Sequence, residues 1–168
     1  MLRILFDTNI FGNLLEEPDA GEIEDKIAEE KEFIVYDYHP IRREIRDIPT
    51  TTILSKRTRG LLLSMYDRIT GNHHLKDSDE ILILAQEYFE QYRMRGGIHG
   101  WHTSIKVDFQ IVACASFHGL DLVYSNDNKT LLSSYALEAY DTVNMKKNLR
   151  TPQFLKYTDL LKKFRGLL

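Results

Sequence analysis

Two aspartates stand just beyond short apolar runs: Asp7 follows LRILF and Asp127 follows LVYSN. In open parallel sheets such positions face the crevice where ligands bind. Asp108 lies early in SIKVDFQIVACASFHG, a stretch that becomes strongly apolar, and Glu44 sits in IRREIRD among three arginines. Gathered together, four carboxylates form a hard oxygen donor set. Such a set suits Mg²⁺ or Mn²⁺ better than zinc, for which the chain offers no His/Cys cluster of recognised spacing. Divalent cations neutralise charge at phosphorus and activate water, which is what phosphodiester hydrolysis requires. Without a cation, clustered carboxylates raise one another's pKa, so stability alone gives no reason to gather them. Taken singly, each acid also fits a structural role. Asp7 and Asp127 suit turns or helix caps, Asp108 suits the positive end of a helix, and Glu44 suits ion pairs with its arginines.

At 168 residues the chain predicts one domain, residues 1–168, able to bury its own core. Apolar residues make up 43% and charged residues 28%, the composition of a globular protein. The net charge of -3 excludes a uniformly basic nucleic-acid coat but leaves room for a local basic groove. The single cysteine, Cys114, excludes an internal disulfide framework, and its apolar surroundings predict a buried thiol. The N-terminal apolar run is broken at once by Asp7, so it reads as a strand rather than a secretory signal. No stretch is long and apolar enough to span a membrane. The expected setting is cytoplasmic, with no membrane partner.

Strands are predicted over 2–6, 33–36 and 121–124, with a weaker one over 142–145. Helices are predicted after Asp7, over 20–31, after Pro40, and over 53–69, 77–95, 105–118, 130–138 and 153–164. Short apolar strands separated by helices are the mark of an α/β chain. The expected fold is a three-layer sandwich, with a central, mostly parallel, twisted sheet flanked by helices.

In this order, strand-FDTN, Glu44 after FIVY, the run DFQIVACASFHGLDLVYSND (108–127) and TPQFL resemble the PIN-domain family of nucleases. The third block is the most specific. Asp108 opens a helix rich in small apolar residues, Gly119 ends it, and LVY leads to Ser125-Asn126-Asp127. The resemblance implies a divalent-metal-dependent endoribonuclease acting on single-stranded RNA. It implies Asp7 and Asp108 as ligands of the principal Mg²⁺ or Mn²⁺, with Glu44 and Asp127 completing the set. Asn9 and Ser125 match positions that orient carboxylates or touch phosphate. Two settings follow: a toxin paired with an antitoxin protein and commonly homodimeric, or a stand-alone RNA-processing enzyme. A PIN fold kept only for RNA binding or scaffolding is the alternative. The chain departs from the pattern in its longer helical middle and in Lys129-Thr130-Leu131, where an aromatic residue is often found.

Arg43 and Arg46 beside Glu44 are candidate phosphate contacts, as are Arg42, Lys56, Arg57, Arg59, Arg93 and Arg95. The bland reading is a set of solvated helix faces. Trp101 is a candidate for stacking on an unpaired base or for covering an apolar edge. An aspartyl phosphatase is disfavoured, because Asn9 stands where a second acid is expected. No glycine-rich phosphate loop points to a nucleotide cofactor.

Overall fold

The structure is a computed structural model that describes residues 1–166, the Ile53 side chain excepted. Residues 167 and 168 of the expected domain lie outside it. In chain order the elements are β1 (Leu2–Phe6), α1 (Thr8–Leu15), α2 (Ala20–Glu29), β2 (Phe33–Val35), β3 (Asp37–Tyr38), α3 (His39–Arg46) and α4 (Ile53–Thr70). There follow β4 (His74–Leu75), α5 (Asp79–Met94), α6 (Ile105–Phe117), β5 (Leu122–Tyr124), α7 (Ser134–Lys146), β6 (Gln153–Leu155) and α8 (Tyr157–Arg165).

The main sheet has the order β2-β1-β5-β6, and every neighbouring pair is parallel. Its two inner strands are buried on both faces, which is why they read as unbroken apolar runs. Ile4, Leu5 and Phe6 face no solvent to speak of, and Leu122, Val123 and Tyr124 are buried beside them. Ile4 lies opposite Leu122 and Phe6 opposite Tyr124, so both strands end at one level. Helices cover the sheet on both sides, giving the three-layer sandwich. Helices α1, α2, α4 and α8 pack among themselves, while α5 packs on α6 and α7. Helix α6 lies against β1 and β5 and is buried from Asp108 through Ser116. A helix enclosed all round must be apolar all round. It stops in a left-handed glycine: Gly119 has φ +65, and the Leu120 amide reaches back to the Ala115 carbonyl at 2.8 Å.

The chain runs from β1 out to β2, then crosses back past β1 to β5. The carboxyl ends of β1 and β5 therefore flank the place where strand order reverses. A second, two-residue parallel pair, β3 and β4, launches α3. Asp37 of β3 accepts from the Tyr66 hydroxyl at 2.6 Å, and Arg42 grips Asp67 at 2.8 and 3.0 Å. Both contacts fix α3, and so Glu44, against α4.

Three expectations change. The run from Gln153 opens as a strand, because β6 pairs with β5; the helix begins at Tyr157, where Asp159 accepts from the Lys156 amide at 2.8 Å. Thr142 to Met145 belongs to α7. Its β-branched pair suggests a strand, yet Ala136, Ala139, Tyr140 and Val143 form a buried stripe at helical spacing. Finally, α7 starts at Ser134 behind the Ser133 cap, not at Thr130. Among the described residues no helix is long and apolar enough to cross a membrane.

Truncating the centre of α6 opens a cavity that the sheet and α5 cannot close. Ile111→Ala is expected to lower the unfolding free energy by about 2–5 kcal/mol in urea titrations.

Candidate metal centre

Asp7 leaves the end of β1 with its backbone amide still on the Tyr124 carbonyl, 2.9 Å away, so the ladder between β1 and β5 carries it to the sheet's mouth. Its side chain caps α1 by accepting from the Thr8 amide at 2.7 Å. The other oxygen accepts from Asn9 Nδ2 at 3.0 Å and from Ser125 Oγ at 2.7 Å. Asn9 then accepts the Asn126 amide at 3.2 Å, and Asn126 in turn accepts the Tyr157 amide at 3.0 Å. The loop after β5 is thus tied to the starts of α1 and α8. Ser125, fully buried, also accepts the Asp127 amide at 3.0 Å.

Asp127 folds its own turn, accepting the Lys129 and Thr130 amides at 3.0 Å each. The Thr130 hydroxyl lies on Asp108 Oδ2 at 2.5 Å and also on Asp127. One hydroxyl carries one hydrogen. Two carboxyl oxygens meeting it therefore need a further proton or a cation between them.

The electrostatics follow from burial. Asp7 and Asp108 are 3% and 4% exposed. Desolvation pushes Asp7 up to about 6, with the charges of Glu44 and Asp127 adding to it. Burial pushes Asp108 up to about 9, helped by the charges of Asp7, Asp127 and Glu44. No lysine or arginine figures among the main influences on either. Asp127 goes the other way: burial raises it, but the Thr130 hydroxyl and the turn amides outweigh that and hold it below the usual range. Burial and the neighbouring negative charges thus favour the protonated form at Asp108, while the Thr130 hydroxyl and the turn amides favour the ionised form at Asp127.

The structure thus brings Asp7, Asp108, Asp127, Asn9 and Ser125 together directly. Glu44 enters through its field on Asp7 and Asp108, and with Arg43 it lines a groove of about 440 Å³ that reaches Val107, next to Asp108. Arg46 lies outside this network, pairing with Asp47 at 3.0 Å on the surface. Of the other basic residues, Arg42 is held by Asp67 and Arg95 by Glu138. Trp101 rests on Phe89 with centroids 5.3 Å apart, the edge-covering role. Cys114 is buried, which pushes its thiol far above the usual range.

Among the described residues, no three His, Cys, Asp or Glu side chains stand in ready-made ligand geometry. The carboxylates are turned onto Thr130, Ser125 and Asn9 instead. The residues still fit a hard divalent cation. They are all oxygen donors, two are desolvated without a basic partner, and each carboxylate keeps lone pairs beyond those its hydrogen bonds use. Thr130 is the member that reading the sequence missed. Its signal is local: a hydroxyl three residues after Asp127, in a turn that Asp127 itself caps. Compared with models of known protein families the chain matches none, and comparison with curated proteins gave no significant match.

In cation-free protein both buried acids have raised values, so the folded state holds more protons than the unfolded one above the ordinary carboxylate range. Stability then falls as pH rises through about 6 for Asp7 and on toward about 9 for Asp108. Acids with lowered values, such as Asp121 and Asp127, act below that window. Chelator-treated protein is expected to melt at a lower temperature at pH 8 than at pH 5.5, and Asp108→Asn to flatten the difference. Thr130→Val, which removes the bridging hydroxyl, is expected to cost about 1–3 kcal/mol, with Thr130→Ser restoring most of it in the same denaturation series.

Proposed function

We propose that the chain is a PIN-domain nuclease, hydrolysing phosphodiester bonds of single-stranded RNA with Mg²⁺ or Mn²⁺ held by Asp7, Asp108, Asp127 and Glu44. One observation carries the reading. Two buried acids and a half-buried third, from the end of β1, α6 and the loop after β5, meet at the switch point of a parallel sheet with no salt-bridge partner among the described residues. A bound divalent cation would supply charge neutralisation at the phosphate and activation of water. The chain's own residues hold the geometry. Ser125 and Asn9 orient Asp7, Thr130 bridges Asp108 and Asp127, and Glu44 on α3 adds its charge to the field on Asp7 and Asp108. The setting proposed is cytoplasmic, as a toxin partnered by an antitoxin protein or as an RNA-processing enzyme, with a homodimer as the assembly to test.

A second reading, a non-cleaving RNA-binding or scaffold protein, draws on a different observation. Asp7 caps α1 and Asp127 nucleates its turn, so both have structural work without a metal. Asp108 lies in the first turn of α6 and accepts the Thr130 hydroxyl, yet it is buried with no salt-bridge partner among the described residues, and this favours the nuclease.

With assorted single-stranded RNAs, cleavage is expected with Mg²⁺ or Mn²⁺ and none with chelator. Asp7→Asn and Asp108→Asn are expected to lower the rate by more than about 100-fold, the upper range for losing a group that only supports a ligand. Asp108→Asn should at the same time leave the cation-free fold as stable or more stable at pH 8. Unaltered turnover by either variant would remove the assignment.

A further inference from the structure

Beside the carboxylate notch runs a second groove, of about 340 Å³, lined by Gly96, Ile98, His99, Asn128, Lys129 and Tyr135 among others. It is continuous with the notch through the chain itself. Asn128 and Lys129 follow Asp127, and the Lys129 amide is bonded to the Asp127 carboxylate at 3.0 Å. We propose that this groove is a nucleotide subsite. It takes a base of the strand whose scissile phosphate lies at the notch, with the Tyr135 ring stacking on that base and the Lys129 ammonium meeting a flanking phosphate. The proposal rests on the nuclease reading, and it adds where the neighbouring nucleotide goes.

Charge and shape carry it. The notch is acidic, whereas the lining of this groove contains no acid and one full charge, the exposed Lys129 cation. A strand of phosphodiesters passing the notch gains favourable charge on this side. Tyr135 is 45% exposed, a large ring left open to solvent at the start of α7. Aromatic faces of this kind bind unpaired bases of any sequence. The volume lies at the small end of the range for small-ligand sites, about 300–1,000 Å³.

The wall against the ring is built rather than loose. Gly96 has φ +108, and a Cβ there would stand 3.4 Å from Tyr135 Cζ, so the backbone passes close against the hydroxyl end of the ring. Gly97 is pressed still closer to Tyr92, whose ring a Cβ would meet at 2.3 Å. Three hydrogen bonds lock this turn. The Gly97 amide donates to the Tyr92 carbonyl at 2.9 Å, the His99 amide to the Tyr92 hydroxyl at 3.2 Å, and Arg93 to the Gly97 carbonyl at 3.0 Å. A surface fixed in advance loses little entropy on binding. The Asn128 side chain has no hydrogen-bond partner among the described residues, and its amide can donate to and accept from a base edge.

The test uses the full chain carrying Asp108→Asn, with Mg²⁺ and a short fluorescein-labelled single-stranded RNA, read by anisotropy. Adding Tyr135→Ala is expected to weaken binding roughly 5- to 150-fold, the range of one base stack, while Tyr135→Phe keeps it. Lys129→Ala should lower the salt dependence by about one unit of slope. RNA containing 4-thiouridine should cross-link to Tyr135. Equal affinity for Tyr135→Ala and its parent, with no cross-link there, overturns the subsite. Cleavage by the otherwise wild-type chain, measured in parallel, separates the two claims. RNA that is cut equally well by Tyr135→Ala leaves the nuclease standing without the subsite. Tyr135-dependent binding with no cleavage at all leaves the groove standing without the nuclease. Absence of any RNA binding overturns both.

Discussion

Desolvation of two carboxylates governs this structure. Moving an ion out of water costs several kcal/mol even after a protein relaxes around it. Asp7 and Asp108 are nevertheless both buried, and among the described residues neither has a lysine or arginine salt-bridge partner. The folded chain gives Asp7 three hydrogen-bond donors and supports Asp127 with turn amides, while burial pushes Asp108 toward its protonated form.

The fold exists around that arrangement. Two strands must end level, which the β1–β5 register provides, and both must be covered by a helix narrow enough to lie close. Ala113, Cys114 and Ala115 make α6 such a helix and bring Asp108, near its start, to the same mouth. Strand β6 and α8 hold the loop after β5 from behind: the Ser125 amide bonds to the Leu155 carbonyl at 3.0 Å, and the Tyr157 amide to Asn126. Helix α3, which carries Glu44, is anchored through Asp37, Tyr66 and Asp67. The same loop serves two neighbouring surfaces, an acidic notch at Asp127 and a groove beginning at Asn128.

Local pattern carried much of this in the bare sequence. Asp7 and Asp127 announce themselves because a short apolar run stops at an acid, and α6 because a run of small apolar residues stops at a glycine. What depends on distant partners was hidden. QFL is three residues long and becomes a strand only by pairing with β5, so TPQFL read as a helix start. Thr142-Val143 has strand-like composition, and only the stripe it completes with Ala136, Ala139 and Tyr140 reveals α7. Thr130 stood only at the start of a predicted helix, since the Asp108 carboxyl it meets lies 22 residues earlier in the chain. The arginines beside Glu44 could be named but not sorted. Whether a guanidinium faces a substrate or a neighbouring aspartate is decided by tertiary packing, and Arg42 and Arg46 turned to Asp67 and Asp47.

The most direct test of the account is where a cation binds. A crystal of the wild-type protein soaked in Mn²⁺ at pH 8 and measured at the manganese absorption edge should show its strongest anomalous peak among Asp7, Asp108 and Asp127. Thr130 should have been released from at least one carboxylate in that structure. A peak only at other acids, or none anywhere at saturating Mn²⁺, would contradict the claim that these carboxylates are gathered to hold a metal.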